Sequence, residues 1–364
     1  MSLSHRKDFF QIITGSAENK GQILFKPGTP SFIINDKTKE SFQSGSFSLL
    51  SLDYLRSETA IKSKKPGTFN IIMGFDTTFD SPYRKHVDIG SIQANPLNRY
   101  STFQIASNFS TLEPASKPDV PENGITKYIY DRTMGPFACI SAAPALIQRA
   151  YLIFYDPKTD PSTWRQTSRR QINLLEYVGD YYPVRNGYVE LKTPRVPPKE
   201  LMEKMQVGLH SDVQVTFGLT HKGDLHSNVY DKEQIIHQVF CSALDLGQVS
   251  GSSNYKLVKN YPKEIKALAQ QLLDGQYEAT IRSGILLGTH KIYLTLLGGG
   301  AFALPLTWIA EAIKKCEKLI VESGIEVIVI IYSYSHLSPE TRNEMLVTLK
   351  EMVFNTGGET KIYN

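Results

Sequence analysis

The sequence predicts an α/β protein built as a three-layer α/β/α sandwich, and three observations predict it. Residues 327–332 form an unbroken apolar run of strand length. A strand that is apolar on both faces must be covered on both, which helices do in a layered sheet. The last third of the chain also alternates period-2 with period-3.6 stretches, the strand–helix rhythm of such a sheet. Finally, 41% hydrophobic residues, with 17 Phe and 19 Tyr among 364, supply a large core and exclude a mainly disordered chain.

The first 66 residues are Ser-, Lys- and Gly-rich, with short apolar pieces at 23–25 and 32–34. They read as a hairpin-like N-terminal extension with short strands, residues 1–66, ahead of the main domain, residues 67–364. Strands are expected at 69–75 and 102–109, and helices at 144–154 and 169–182. A Pro-rich turn at 194–198 precedes alternating residues 213–219 and a short buried strand at 239–243. A long helix is expected from 262 to 287, then a strand at 291–297 and the glycine turn. The helix expected at 305–322 places Ile309, Ala312, Ile313, Cys316, Leu319 and Ile320 on one side and Glu311, Lys314, Lys315 and Lys318 on the other. Gly324 stops it, and Ser338-Pro339 opens a terminal helix after the apolar strand.

Composition removes several function classes. The 40 Lys+Arg against 36 Asp+Glu leave a net charge of +4 with no long basic tract, so nucleic acid is not an expected partner. Cys139, Cys241 and Cys316 are odd in number and lack CxxC spacing, which argues against a disulfide framework or a zinc site and fits a reducing compartment. The apolar stretch at 9–13 is too short for a signal-peptide core, and the apolar run at 327–332 is far below the ~20 residues of a membrane span. A cytoplasmic protein without membrane contact is expected.

The strongest chemical signal is the run from Leu294 to Phe302, where a strand delivers Gly298, Gly299 and Gly300 to a helix start. Backbone N–H groups without Cβ atoms can approach an anion closely, and the helix adds the positive end of its dipole. The alternative is a tight strand-to-helix turn. Neither GxxxxGK[ST] nor GxGxxG is matched, so kinase-like and nucleoside-triphosphatase readings fail here. A second stretch, Gly124 to Pro136, places Asp131, Thr133 and Gly135 before a helix, as a facing anion loop or as an ordinary capped turn. Third, Asp274 and Glu278 share one helix face with Ile281 and Ile285. They read either as carboxylates entering a cleft, suited to acid/base work, or as a solvated pair. His221 and His226 lack metal-ligand spacing, and His210 and Asp212 fall on one side of a strand. No GxSxG elbow is present.

Taken together, the blocks 103–113, 121–126, 131–136, 239–243, 274–280 and 293–302 resemble a divergent branch of the macrodomain-like family, that of ADP-ribosyl hydrolases including Legionella effectors of the MavL kind. The resemblance spans residues 69 to 334. It implies a mixed central sheet and ADP-ribose held at the C-terminal ends of the strands. Gly298, Gly299, Gly300, Ala301 and Phe302 would cradle the diphosphate and distal ribose, Asn108, Thr133, Gly135 and Pro136 would form the facing loop, and Ser242 would sit nearby. The branch usually has Gln where this chain has Met134, Gly-Asn where it has Ala303-Leu304, and a Val-Asp-Gly loop that aligns with residues 125–127 without its Asp.

The implied activity is removal of ADP-ribose from a protein side chain, with Asp131, Asp274 and Glu278 as the catalytic carboxylates and no metal or cofactor. A non-catalytic ADP-ribose reader is the alternative. The expected partner is ADP-ribose or an ADP-ribosylated protein, the expected state a monomer, and secretion into a host cell would suit the Ser- and Lys-rich extension.

Overall fold

The computed structural model describes residues 8–19, 30–61, 63–74, 87, 89–112, 120–131, 133–219, 226–331 and 339–363. In chain order the strands are β1 (Phe32–Ile34), β2 (Ser41–Gln43), β3 (Ser46–Ser51), β4 (Thr68–Met73), β5 (Thr102–Ala106), β6 (Val184–Arg185), β7 (Tyr188–Val189), β8 (Gln206–Gln214), β9 (Phe217–Leu219), β10 (His226–Asn228), β11 (Ile235–Cys241), β12 (Lys291–Thr295), β13 (Glu326–Ile331) and β14 (Thr360–Ile362). The α-helices are α1 (Phe9–Thr14), α2 (Leu52–Glu58), α3 (Ile89–Ala94), α4 (Met134–Ser141), α5 (Ala143–Tyr151), α6 (Pro262–Leu287), α7 (Leu306–Lys315), α8 (Glu317–Ser323) and α9 (Pro339–Thr356).

Eight strands form the central sheet in the order β14-β4-β13-β12-β5-β11-β8-β3. From β14 to β11 every neighbouring pair is parallel, while β8 runs antiparallel to β11 and β3 antiparallel to β8. The sheet is therefore mixed, and its side chains alternate between two apolar cores. On β13, Val327, Val329 and Ile331 enter one core with α2, α6, α7, α8 and α9, while Ile328 and Ile330 enter the other with α1, α3, α4 and α5. Burial on both faces is why that run is apolar at every position.

Several elements differ from expectation. Residues 169–182 are not a helix: Leu174, Leu175, Val178 and Tyr182 are buried at helix-like spacing, yet only Glu176–Val178 makes a short 3₁₀ turn. Gln166 Oε1 accepts the Ile172 N–H (3.0 Å) and Leu174 donates to the Phe109 carbonyl (3.0 Å), so the first half of the segment is tied to neighbours, and only residues 173–182 bond among themselves, in short turns. The helix expected at 305–322 is two, α7 and α8, separated at Cys316, whose ψ of −2° interrupts the ladder. His210 and Asp212 do not share a face. A bulge sets two β8 residues against His237, and Asp212 at φ +57 turns outward while His210 is wholly buried. His221 and Ser338 lie outside the described residues.

Part of residues 1–66 belongs to the sheet itself. β3 supplies its edge, and α2 packs Leu52 and Leu55 into the α6-side core. Cys139, Cys241 and Cys316 are buried free thiols. No described helix is long and apolar enough to cross a membrane, and no described cluster of three His, Cys, Asp or Glu could hold a metal ion.

Candidate functional site

In an open parallel sheet, ligand crevices form outside the carboxyl ends of the strands where chain order reverses. Here the chain passes from β5 outward to β11, then returns through α6 to β12 on the other side of β5. The segments following β5, β11 and β12 are consequently brought to one end of the sheet. Ser107 ties the first two, its N–H and Oγ donating to the Cys241 carbonyl (2.8 and 3.3 Å). Leu246 N–H donates to the Phe302 carbonyl (2.9 Å), joining the second to the third. From α6, the Tyr277 hydroxyl donates to the Thr295 carbonyl (2.7 Å) and accepts from Leu297 N–H (3.0 Å), fixing where the glycine turn begins.

The turn is built from three glycines with three different duties. Gly298 lies at φ +80, where a Cβ would also stand 2.7 Å from Leu304 Cδ1 and 2.9 Å from Ala243 Cβ. That position requires glycine on both counts. The Gly299 N–H is consumed by the turn, donating to the Leu296 carbonyl (3.0 Å), so it is not the anion donor expected of it. At Gly300 a Cβ would meet nothing within 4 Å, so the backbone there is open to an approaching group. Among the described residues, the N–H groups of Gly298, Gly300, Ala301 and Phe302 have no hydrogen-bond acceptor. Ala303 and Leu304 close the turn by donating to the carbonyls of Gly300 (2.9 Å) and Gly298 (3.0 Å), and α7 follows.

Of the other residues expected to bind ligand, Asn108 and Ser242 follow the neighbouring strands β5 and β11, and Gly135 and Pro136 open α4. Ser242, 1% exposed, donates its N–H to Gln276 Oε1 (3.3 Å), and its hydroxyl has no partner among the described residues. Asn108 is buried directly after β5, where its Oδ1 accepts from the N–H and hydroxyl of Ser110 (2.8 and 2.7 Å) and so shapes its own loop. Phe302 packs toward Tyr188, with ring centroids 6.0 Å apart. Gly135 and Pro136 are buried in the first turn of α4. Gly135 and Met134 line a crevice with Gln104 and Ala106 of β5 and Thr295 of β12; its free volume of about 10 Å³ is room for one water. Thr133 is exposed, its N–H and hydroxyl donating to Asp131 Oδ1 (2.8 and 2.7 Å).

The three acidic residues expected to be catalytic are not brought together. Asp131 precedes α4 and caps Thr133. Asp274 pairs with Lys315 (2.5 Å) and accepts from Gln270 (2.9 Å) on the α6 flank facing α7. Glu278 is gripped by Arg56 of α2 through two bonds (2.9 and 2.7 Å) and by Arg282 (2.7 Å). Burial raises the Glu278 carboxyl, but the two guanidiniums outweigh it and hold it below the usual carboxylate range. Such a group is a fixed anion at neutral pH and no proton donor. None of Asp131, Asp274 and Glu278 lines the β5–β12 crevice; Asp131 lies three residues before Met134 and four before Gly135, which do.

Two acidic residues that sequence reasoning passed over order loops near the strand ends. Asp245, 1% exposed, orders the loop after β11, accepting from Gly247 N–H (2.9 Å) and Ser250 Oγ (2.7 Å) beside the Leu246–Phe302 bond. Its place just beyond the end of a buried strand was the available signal. Glu18 grips the loop at 125–126 from the N-terminal segment, a contact across more than 100 residues that no local pattern announces.

No family model matches this chain, and no curated protein matches it. Among solved structures it is similar to the poly(ADP-ribose) glycohydrolase of Deinococcus radiodurans in apo form, with 10% identity and a TM-score of 0.41 over 85% of this chain and 94% of that one. The same enzyme in complex with ADP-ribose gives 10% identity and a TM-score of 0.42 over 85% and 95%. The glycohydrolase of Thermomonospora curvata gives 9% identity and a TM-score of 0.41 over 88% and 93%.

Proposed function

We propose that this chain binds ADP-ribose at the ends of β5, β11 and β12 and acts as an ADP-ribosyl hydrolase, releasing ADP-ribose from a protein side chain. The observation that carries the reading is the glycine turn, whose four unbonded N–H groups at Gly298, Gly300, Ala301 and Phe302 suit the oxygens of a diphosphate. The macrodomain-like resemblance of the sequence, including the MavL-like branch, supports the same ligand. Breaking the bond at the anomeric carbon, whose electron pair leaves with the side-chain atom, builds oxocarbenium-like positive charge; a nearby carboxylate stabilises it while water adds its oxygen to that carbon and its proton passes to the departing side chain. Asp131 is the carboxylate in this role, because it precedes the α4 turn whose Gly135 lines the crevice. Asp274 and Glu278 hold helices together.

A reader that binds ADP-ribose without hydrolysing it is the second reading. It is favoured by Met134, an apolar side chain on the crevice where the related branch carries Gln, and by the engagement of Asp131 Oδ1 with Thr133.

Calorimetric titration with ADP-ribose, with AMP as control, tests the proposal when run beside Gly300→Glu. That variant has space for its side chain and sets a negative charge against the open amides. The expected outcome is micromolar binding by the unmutated protein and loss of at least tenfold in the variant, with unchanged melting. No ADP-ribose binding by the unmutated chain removes both readings. Binding without release of ADP-ribose from a modified protein leaves the reader.

A further inference from the structure

The loop at 120–126 is fastened from three directions. The Arg165 guanidinium, buried, donates from Nη2 to the Pro121 carbonyl (3.1 Å). Glu122 Oε1 accepts the N–H and hydroxyl of Ser168 (both 2.8 Å). The third fastening comes from the N-terminal segment. Glu18 Oε1 accepts Ile125 N–H (2.7 Å) and the Tyr151 hydroxyl, while Oε2 accepts Thr126 N–H (2.8 Å) and the Thr126 hydroxyl (2.5 Å). Both oxygens of one carboxylate are thus fully engaged. Two successive backbone amides make an anion-binding concavity, and here a side chain of the same chain fills it.

The location gives this contact a consequence. Gly124 and Ile125 line a second crevice with Asn108, Ser110, Tyr128 and Asn186. That crevice shares Asn108 with the proposed ADP-ribose site, and its far wall is the loop that Glu18 grips. The segment carrying Glu18 is itself anchored, because Phe9, Phe10 and Ile13 of α1 are buried beside Tyr151 of α5. An anchored carboxylate with four donors is a rigid fixture, whereas an exposed single ion pair is not.

We propose that Glu18 is a positioning residue for the ligand site: it holds the loop at 124–126 against the Asn108 crevice, so that the N-terminal segment completes the site from outside the strand ends. This rests on the ADP-ribose reading only for the identity of the ligand. The contrary device is autoinhibition, in which Glu18 occupies amides that an anionic ligand needs.

Hydrogen exchange and ADP-ribose titration of the full chain, with Glu18→Gln and Thr126→Ala, separate these outcomes. A glutamine has one acceptor oxygen and cannot serve two amides and two hydroxyls. In Glu18→Gln the amides of Ile125 and Thr126 are expected to exchange at least tenfold faster, with Phe240 and Leu294 in the sheet unchanged, and ADP-ribose to bind about tenfold more weakly. Thr126→Ala, which removes one donor and keeps both amide bonds, is expected to give a smaller shift of the same sign. Unchanged exchange at 125 and 126, or equal acceleration across the sheet, overturns the clamp. Faster exchange with unchanged affinity overturns its service to the site, and tighter binding replaces it with autoinhibition. If the unmutated protein binds no ADP-ribose, the ligand reading fails while the exchange rates still judge the clamp.

Discussion

At the residue scale the glycine turn separates positions that look equivalent in the sequence. Gly298 and Ala303 both lie at positive φ, +80 and +53, but only the first is glycine. A left-handed alanine costs roughly 1–2 kcal/mol, offset in part by the entropy glycine adds to the unfolded chain. Ala303→Gly is therefore expected to stabilise the protein by about 0.5–1 kcal/mol, read as a higher urea midpoint at unchanged m-value. A lower midpoint would mean that Ala303 is not strained. Gly298→Ala acts in the opposite direction, adding a left-handed Cβ and a clash with Leu304, and should cost roughly 2 kcal/mol or more. Part of this was legible beforehand: the related branch carries glycine where this chain has Ala303, and the triple glycine singled out the turn. The division of labour among the three was not, because it depends on Leu304, Leu306 and Ala243 folding back over the turn.

At the scale of elements, α6 shows how far local pattern reaches. Its bounds were readable from Pro262 to the left-handed Gly288 cap, since both signals are local. The meaning of its acidic pair was not. Arg282, four residues on, is the one local sign of an ion pair; the Arg56 grip comes from 222 residues away, where no pattern in the helix reaches. The same limit explains residues 169–182, whose apolar spacing imitates a helix while Leu174 bonds to Phe109 and Gln206, far away in the chain. Glu278→Gln should leave both arginines with a weaker acceptor and cost about 1–2 kcal/mol at pH 7. Because the folded carboxyl lies below its ordinary value, this contribution is present above about pH 4.3 and is lost as pH falls through the folded value. Denaturant unfolding of both proteins should show the gap at pH 7 and a smaller one at pH 3.5. A constant gap would assign it to packing instead. The proposed hydrolysis, assayed at pH 7, should be the same in both proteins, which separates this tie from a catalytic acid.

For the whole molecule, the question is whether residues 1–66 are an appendage or part of one cooperative unit. Their strands are short, and β3 alternates weakly because it is a sheet edge with exposed positions, so the sequence reads them as an extension. Yet they place Leu52 and Leu55 in one core and Phe9, Phe10, Ile13 and Ile33 in the other, each at most 3% exposed. Burying a side chain of this kind stabilises by roughly 1.5–3 kcal/mol, so six contribute roughly 9–18 kcal/mol as an upper estimate. That is comparable to the whole stability of a domain, about 5–15 kcal/mol. Removing them also strips the six paired residues of β3 from β8 and bares a strand edge. A chain of residues 67–364 is therefore expected to show no cooperative melting by near-ultraviolet circular dichroism and to aggregate. A sharp transition in that fragment would mean instead that the seven strands from β14 to β8 are self-sufficient and that β3, α1 and Glu18 are additions to them.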